Sequence, residues 1–205
     1  MRPGRDRSAR LSPSDARLRL AIGTAGLALA AAGVRPDRIG PNEKRVFGAI
    51  NRLPDSLAGP LWVVMQSGNF LAAPAAAAVA LQSGRPNLAR RLLVAGPTAW
   101  ALAKVVKAHV QRPRPGVLVL DTKRRGREQS GLGFVSGHAA VATSLCAAAL
   151  PELGSPGRRA AIAGAITVGL TRIYIGAHLP LDVLGGIALG VAVEAAVELV
   201  ESTLS

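Results

Sequence analysis

Thr171-Arg172-Ile173-Tyr174-Ile175-Gly176-Ala177-His178-Leu179-Pro180-Leu181-Asp182 places an arginine, a histidine and an aspartate within twelve otherwise largely apolar residues. The stretch lies between two hydrophobic runs, each long enough to cross a bilayer. Ionisable side chains at the edge of a membrane core are costly to keep, so a charged triplet there marks a site whose partners lie elsewhere in the chain.

The partners lie upstream. Lys107, Arg114 and Pro115 form a K-x6-R-P pattern, and Val135-Ser136-Gly137-His138 follows after a basic, polar loop. These three blocks, in this order, resemble the signature of the type-2 phosphatidic acid phosphatase superfamily, which includes membrane lipid phosphatases and vanadium haloperoxidases. The family pattern is K-x6-R-P, then P-S-G-H, then S-R-x5-H-x3-D. Every charged or catalytic position is kept, while Val135 stands where proline is usual and Thr171 where serine is usual. The blocks span residues 107–182, and the flanking helices match by hydropathy alone. The resemblance implies an all-α integral membrane bundle of about six transmembrane helices with a phosphatase/haloperoxidase-like core.

Composition is compatible with that fold. The 205 residues suffice for one domain, 49% are hydrophobic and 18% are charged, so apolar material for membrane spans is present. A formal net charge of +13 also fits a nucleic-acid binder. Against this, the six aromatic residues are scattered through apolar runs and do not alternate with the basic ones, so platforms for base stacking are missing. No nucleic-acid partner is expected. The lone Cys146, in an apolar run, forms no intrachain disulfide or thiolate cluster and reads as a small buried hydrophobe.

Residues 1–17, with Arg2, Arg5, Arg7, Arg10 and Arg17 among Pro, Ser and Gly, read as a disordered basic cytoplasmic tail. Residues 18–205 form the phosphatase domain. Its first apolar run, Leu18 to Val34, is either a retained helix or a cleavable signal segment; six spans require that it stay. Residues 35–57 suggest an amphipathic helix on the membrane surface, with Val46, Phe47, Ile50 and Leu53 on one face and Lys44, Arg45 and Arg52 toward headgroups. A second span runs from Leu57 to Leu81, and its Gln66, Ser67, Gly68 and Asn69 read as a small-residue packing face with amide bonds between helices. Spans three to six cover Leu92 to Val106, Ser136 to Leu150, Arg159 to Ile175, and Pro180 to about Val200. Glu194, Glu198 and Glu201 read as a solvated face of the last helix.

An even number of spans puts both termini on one side, and the catalytic loop 108–136 and residues 176–181 on the other. Positive charge beside the first helix favours cytoplasmic termini and an extracytoplasmic site in the cell membrane.

Phosphoryl transfer spreads negative charge over the equatorial oxygens, so catalysis rests on placement and electrostatics. Lys107, Arg114 and Arg172 supply three cations, the arginines as forks that match phosphate oxygens. Ser136 is placed to cap the fourth span and to aim the backbone N–H groups of Gly137 and His138 at the anion. His178 and Asp182, four apart with Pro180 suited to a first helical turn, can share a helical face. The aspartate then holds one imidazole nitrogen and leaves the other to attack phosphorus, giving a phosphohistidine. His138 is the acid for the leaving oxygen and later activates water. His178 must start neutral and His138 charged. The resemblance implies the same roles, with no metal ion and no cofactor.

His109, Lys104, Arg112 and the cluster Lys123, Arg124, Arg125 and Arg127 fall outside the signature and read as a solvated or headgroup-facing set, with recruitment of a second phosphate as the functional alternative. Four lipid phosphates fit the reaction: phosphatidic acid, a polyprenyl phosphate or pyrophosphate, a polyprenyl phosphosugar phosphate, and phosphatidylglycerol phosphate. Two other readings are a vanadate-dependent haloperoxidase built on the same pocket, and a non-catalytic membrane anchor with a basic tail.

Overall fold

The computed structural model describes residues 13–127 and 130–204, and among these it contains helices and loops without a strand. In chain order the helices are α1 (Pro13–Gly33), α2 (Pro41–Asn51), α3 (Ala58–Met65), α4 (Ala72–Gln82), α5 (Pro86–Val110), α6 (Pro115–Leu118), α7 (Gly137–Ala149), α8 (Ser155–Tyr174) and α9 (Pro180–Leu204). The expected tail divides. Residues 1–12 lie outside the described residues, whereas 13–17 already belong to α1, where Asp15 in the first turn complements the positive helix end.

The bundle is arranged around α9, which α1 flanks along much of its length while α7 and α5 pack on its other sides. Two glycines one turn apart allow this closeness. A Cβ at Gly186 would stand 2.5 Å from the Ser136 carbonyl oxygen, and one at Gly190 2.5 Å from that of Ala140. Only hydrogen fits there, so the backbones of α7 and α9 touch, the small-residue packing that membrane helices use. The core is correspondingly fine-grained, with Ala99, Ala103 and Ala140 around Phe134, Leu189 and Val193, and Ala73, Ala77 and Ala89 around Leu92 and Val141. Large apolar side chains point outward instead: Ile22 and Leu29 on α1, Trp62 and Val63 on α3, Leu93 and Val105 on α5, Ile166 and Leu170 on α8. That distribution suits a lipid surround better than water.

The six expected spans correspond to α1, the pair α3–α4, α5, α7, α8 and α9. Among the described residues, α9 alone is long and apolar enough to cross a membrane, and Asp55–Gly68 with Ala72–Gln82 pass together as a pair bent by 75°. Helices α1, α5 and α8 have the length, at 21, 25 and 20 residues. Their charges explain the shortfall: Arg17 and Arg19 in α1, Arg90, Arg91, Lys104 and Lys107 in α5, Arg158, Arg159 and Arg172 in α8. Helix α7, with 13 residues, rises about 20 Å against a hydrocarbon core of roughly 30 Å.

The second expected span is the bent pair, and the Gln66–Asn69 stretch is its hinge; the small-residue packing holds at Gly68, where a Cβ would stand 2.6 Å from the His138 carbonyl oxygen, but the amide bonds do not run between helices. Its polar side chains bond locally: Gln66 Nε2 donates to the Trp62 carbonyl at 3.1 Å, Ser67 Oγ to that of Val64 at 2.8 Å, and Asn69 Nδ2 to Gln66 Oε1 at 3.0 Å. Asn69 Oδ1 then accepts the Ala72 N–H at 3.0 Å and seeds α4. Such side chains compete with the helix ladder for backbone partners, and here they end one helix and start another.

The glutamates of α9 are also not a solvated face. Glu194 is fully buried and Glu198 nearly so. Arg19 of α1 pairs with both; Arg91 of α5 lies 2.7 Å from Glu198 and 3.4 Å from Glu194, and Arg90 lies 3.4 Å from Glu201. This ionic cluster joins the start of α1, the start of α5 and the end of α9. Glu194 is about 18 Å along the helix from Asp182. The start of α1 and the end of α9 therefore share one end of the bundle, and the motif residues gather at the other.

Helix α2 covers the centre of the expected amphipathic segment but divides its apolar face. Phe47 turns inward to Leu179 and Val183, with Ile50 packed against the same cluster, whereas Val46 and Leu53 remain exposed. Lys44, Arg45 and Arg52 are exposed.

Candidate active site

Leu179 and Pro180 lead into α9, and Asp182 sits in its first turn. The Asp182 carboxylate is fully buried: Oδ2 accepts the Leu179 N–H at 2.9 Å and Oδ1 accepts from Arg112 Nη1 at 2.9 Å. His178 Nδ1 lies 3.5 Å from Asp182 Oδ2, a contact without a hydrogen bond, and the nitrogen has no other partner. Pairs of this kind commonly tighten when substrate arrives. Burial first, and then the charges of Lys107, Arg172, Arg114 and His138, push the His178 imidazole well below its ordinary pKa, so the ring is neutral at pH 7.

The turn that carries His178 is fastened from several sides. The Ala177 and His178 N–H groups both donate to the Arg172 carbonyl, at 3.0 and 3.1 Å. Gly176 takes φ +76°, and a Cβ there would stand 2.6 Å from the Lys123 carbonyl oxygen, so the loop 122–125 lies directly on it. Asn51, at the end of α2, donates to the carbonyls of Lys123 and Tyr174 at 2.9 Å each and accepts the Lys123 N–H at 2.9 Å. Arg125 donates to the Asn51 and Tyr174 carbonyls at 2.8 and 2.6 Å, lies 4.1 Å from the centre of the Tyr174 ring, and pairs with Asp55.

The three expected cations converge on the histidines electrostatically but are held differently. Arg172 is buried in the last turn of α8, with Nη1 3.2 Å from the Met65 sulfur at the tip of the bent pair. Arg114, half-buried, donates from Nε to the Ser130 carbonyl at 3.1 Å and from Nη1 to that of Ala177 at 2.8 Å; burial lowers its pKa, partly offset by Asp182. Lys107 spends its ammonium on the carbonyls of Leu132, Gly133 and Val135, at 3.2, 2.9 and 2.5 Å. As placed, it fixes the strand of loop entering α7 and offers the site charge, with its donors already engaged.

Ser136 is the N-cap of α7: its Oγ accepts the Ala139 N–H at 3.4 Å, and its own N–H donates to the Asp182 carbonyl at 2.7 Å. The N–H groups of Gly137 and His138 follow in the first turn, where a helix has no internal acceptor for them. Val135, in place of proline, is fully buried at the entry.

Arg112, expected in a solvated loop, is fully buried and is the largest correction to the sequence reading. Nη1 donates to Glu43 Oε1 and to Asp182 Oδ1, both at 2.9 Å, and Nη2 to Glu43 Oε2 at 2.6 Å. Burial opposes its charge, but the Glu43 hydrogen bond and the Asp182 and Glu43 charges outweigh it and raise its pKa. Glu43 Oε1 also accepts the Leu181 N–H at 3.0 Å, so α2 reaches the start of α9. Arg125 is likewise structural and not part of a solvated cluster. Sequence reading also missed Glu43 and Asn51; an acidic and an amide residue at helical spacing on α2 were the signal available. His109 is exposed.

Beside Arg114 opens a cavity of about 400 Å³, lined by Pro113, Arg114, Gly116, Val117, Arg124, Arg125, Arg127, Gly131, Leu132, Ile175, Gly176 and Ala177. It borders the turn of His178. Among the described residues, no carboxylate lines it.

Comparison with known proteins identifies the family. The model of the PAP2 superfamily matches residues 88–203, which include every motif residue. The chain belongs to the PAP2 superfamily. Two similar PAP2 relatives are the decaprenylphosphoryl-5-phosphoribose phosphatases of Mycobacterium tuberculosis strains CDC 1551/Oshkosh and ATCC 25618/H37Rv, each 37% identical over 120 residues, covering 55% of this chain and 63% of the relative. The match thus spans a little under two thirds of the length of those relatives. Among solved structures, the crystal structure of Aquifex aeolicus LpxE aligns with a TM-score of 0.68 at 21% identity, covering 75% of this chain and 92% of that one. That likeness supports the PAP2 fold.

Proposed function

We propose that this PAP2 protein is a membrane-embedded lipid phosphatase that hydrolyses a phosphomonoester or pyrophosphate through a phosphohistidine on His178. The observation that carries the proposal is the neutral, buried His178, with Nδ1 3.5 Å from Asp182 and under the charges of Lys107, Arg114 and Arg172. His178 Nε2 attacks phosphorus while the ester P–O bond breaks, and His138, protonated once the phosphate anion is bound beside it, gives that proton to the departing oxygen. His138 then takes a proton from water, whose oxygen attacks phosphorus; the P–N bond breaks, and inorganic phosphate leaves with His178 restored. Arg172 and Arg114 hold the equatorial oxygens, the N–H groups of Gly137 and His138 add donors, and Lys107 adds charge.

Membrane embedding is supported by the outward apolar side chains and by α9. The proposed orientation puts the ionic cluster and both termini on the cytoplasmic side, and the histidines outside. Residues 18–205 act as one phosphatase domain, with the loop 108–136 as its catalytic loop. The relatives' name points to a polyprenyl phosphosugar phosphate, one of the four lipid classes that the motif fits.

Release of inorganic phosphate from those four lipids in detergent, wild type against His178→Ala, tests the proposal. Release by the wild type and none by the variant is expected. Equal turnover in both would overturn the assignment of the nucleophile.

A further inference from the structure

Helix α2 holds both ends of the turn that carries His178. Its inward stripe is Glu43, Phe47, Ile50 and Asn51, the i, i+4, i+7 and i+8 positions of one helical face. Asn51 grips the near side of the turn, through the Tyr174 carbonyl and both backbone groups of Lys123, at 2.9 Å each. Phe47 packs with Leu179 and Val183 in the middle. Glu43 takes the far side, where Oε1 accepts the Leu181 N–H at 3.0 Å. These two grips are separated by about 12 Å of one rigid helix, so α2 fixes the span of the turn as well as its place.

An acidic residue in the first turn of a helix ordinarily does no more than complement the positive helix end. Glu43 has that position in α2, yet its side chain is 8% exposed and its bonds cross 69 and 138 residues of chain. Its Oε1 and Oε2 accept from Arg112 Nη1 and Nη2 at 2.9 and 2.6 Å, and Arg112 Nη1 also donates to Asp182 Oδ1 at 2.9 Å. Asp182 Oδ2 then faces His178 Nδ1 at 3.5 Å. A second path runs through the backbone. Helix α9 begins at Pro180, which has no N–H, so Leu181 offers the first N–H of that helix and Glu43 caps it from another element. The turn that bears Asp182 and the arginine that grips Asp182 thus end on one carboxylate.

We infer that Glu43 is a positioning residue for the phosphoryl transfer: it touches no substrate, and it holds Arg112 and the first turn of α9 so that Asp182 faces the His178 ring. The inference rests on the phosphatase reading and extends its machinery to α2, outside residues 88–203 that the family model matches. Glutamine cannot substitute. Its oxygen can still accept the Leu181 N–H, but its NH2 group meets Arg112 donor to donor, and the ion pair is gone.

The test uses the full chain in detergent and four lipid phosphates: phosphatidic acid, phosphatidylglycerol phosphate, a polyprenyl pyrophosphate and a polyprenyl phosphosugar phosphate. For every lipid that the wild type hydrolyses, Glu43→Gln should lower kcat about tenfold or more, the worth of one charge-assisted hydrogen bond, with KM within about threefold. Glu43→Asp, which keeps the charge one methylene farther back, should lie between the two. Glu194→Ala, which breaks the ionic cluster at the other end of α9, is the comparison for stability alone: its Tm should fall while its kcat stays near wild type. A Glu43→Gln kcat within about threefold of wild type, or a loss carried wholly by KM, would overturn the inference, as would a fall in kcat no larger than that of Glu194→Ala at equal Tm. If the glutamine variant does not fold, the aspartate variant decides: a kcat loss of about threefold or more at unchanged KM supports the inference, and wild-type kcat overturns it. No phosphate released by the wild type from any of the four lipids would overturn the phosphatase reading and this inference with it, whereas release by the wild type with kcat unmoved in Glu43→Gln overturns the role of Glu43 alone.

Discussion

Replacing Arg112 separates structure from chemistry at this site, because one guanidinium serves two carboxylates. Its three bonds run to Asp182 and Glu43 at 2.6–2.9 Å, with the Arg112 and Asp182 side chains at 0% exposure and that of Glu43 at 8%. Removing one member of a buried ion pair costs about 3–5 kcal/mol, because the remaining charge loses its compensation without regaining water. Arg112→Ala strands two such charges, so a loss near 5 kcal/mol is expected, about as large as the whole stability of a marginal domain. Arg112→Lys is the informative variant. An ammonium keeps the charge, but a single point cannot fork to both carboxylates, and at least one charge-assisted bond of about 1.5–3 kcal/mol goes. Thermal unfolding in detergent, followed by the fluorescence of Trp62 and Trp100, is measured beside phosphate release. For the lysine variant, kcat should fall about 10–100-fold with KM within about threefold, because Arg112 acts through Asp182 and touches no phosphate. A lysine variant that unfolds and turns over like the wild type, or whose loss lies wholly in KM, would refute this reasoning.

Three further outcomes are expected. The depressed His178 pKa makes its contribution to stability complete above the ordinary imidazole value of about 6.5 and progressively lost as pH falls below it, since the unfolded chain takes up a proton that the buried ring refuses; Tm measured from pH 7.5 to 5 should fall less steeply in His178→Asn. Glu194→Ala leaves Arg19 and Arg91 facing a half-empty cluster and should cost about 3–5 kcal/mol in unfolding, with kcat of the surviving fold near wild type because the site is at the other end of α9. Gly176→Ala meets both a left-handed backbone, about 1–2 kcal/mol, and the Lys123 carbonyl at 2.6 Å, so both Tm and kcat should drop.

Most motif residues were legible because they lie at the ends of apolar runs, where a charge has few innocent explanations; Arg114, among polar and basic neighbours, was legible through the K-x6-R-P spacing alone. Lys107, Ser136, Arg172 and Asp182 occupy helix ends that the hydropathy pattern had already marked. Arg112 was not legible for the opposite reason: in Gln111-Arg112-Pro113-Arg114 it sits among polar and basic neighbours, and its burial is created by Glu43, 69 residues away. Glu194 and Glu198 present the same spacing whether they face water or two arginines, and only the position of α1 and α5 decides between them. The break at Gln66–Gly68 was legible as polarity but not as a hinge, since amides bond as readily across helices as within a turn. Arg19, Arg90 and Arg91 serve the glutamate cluster, and Lys107 and Arg172 the histidine site, so hydropathy alone leaves fewer uninterrupted spans than the fold has long helices.

The central claim, that His178 carries the phosphoryl group, is tested most directly by mixing the protein with a radiolabelled lipid phosphate, quenching within milliseconds and mapping the label. An acid-labile, base-stable phosphate on the peptide containing Thr171 to Asp182, absent from His178→Ala, is the result the account predicts. Label on another residue, or steady turnover with no label on the protein at any quench time, would contradict it.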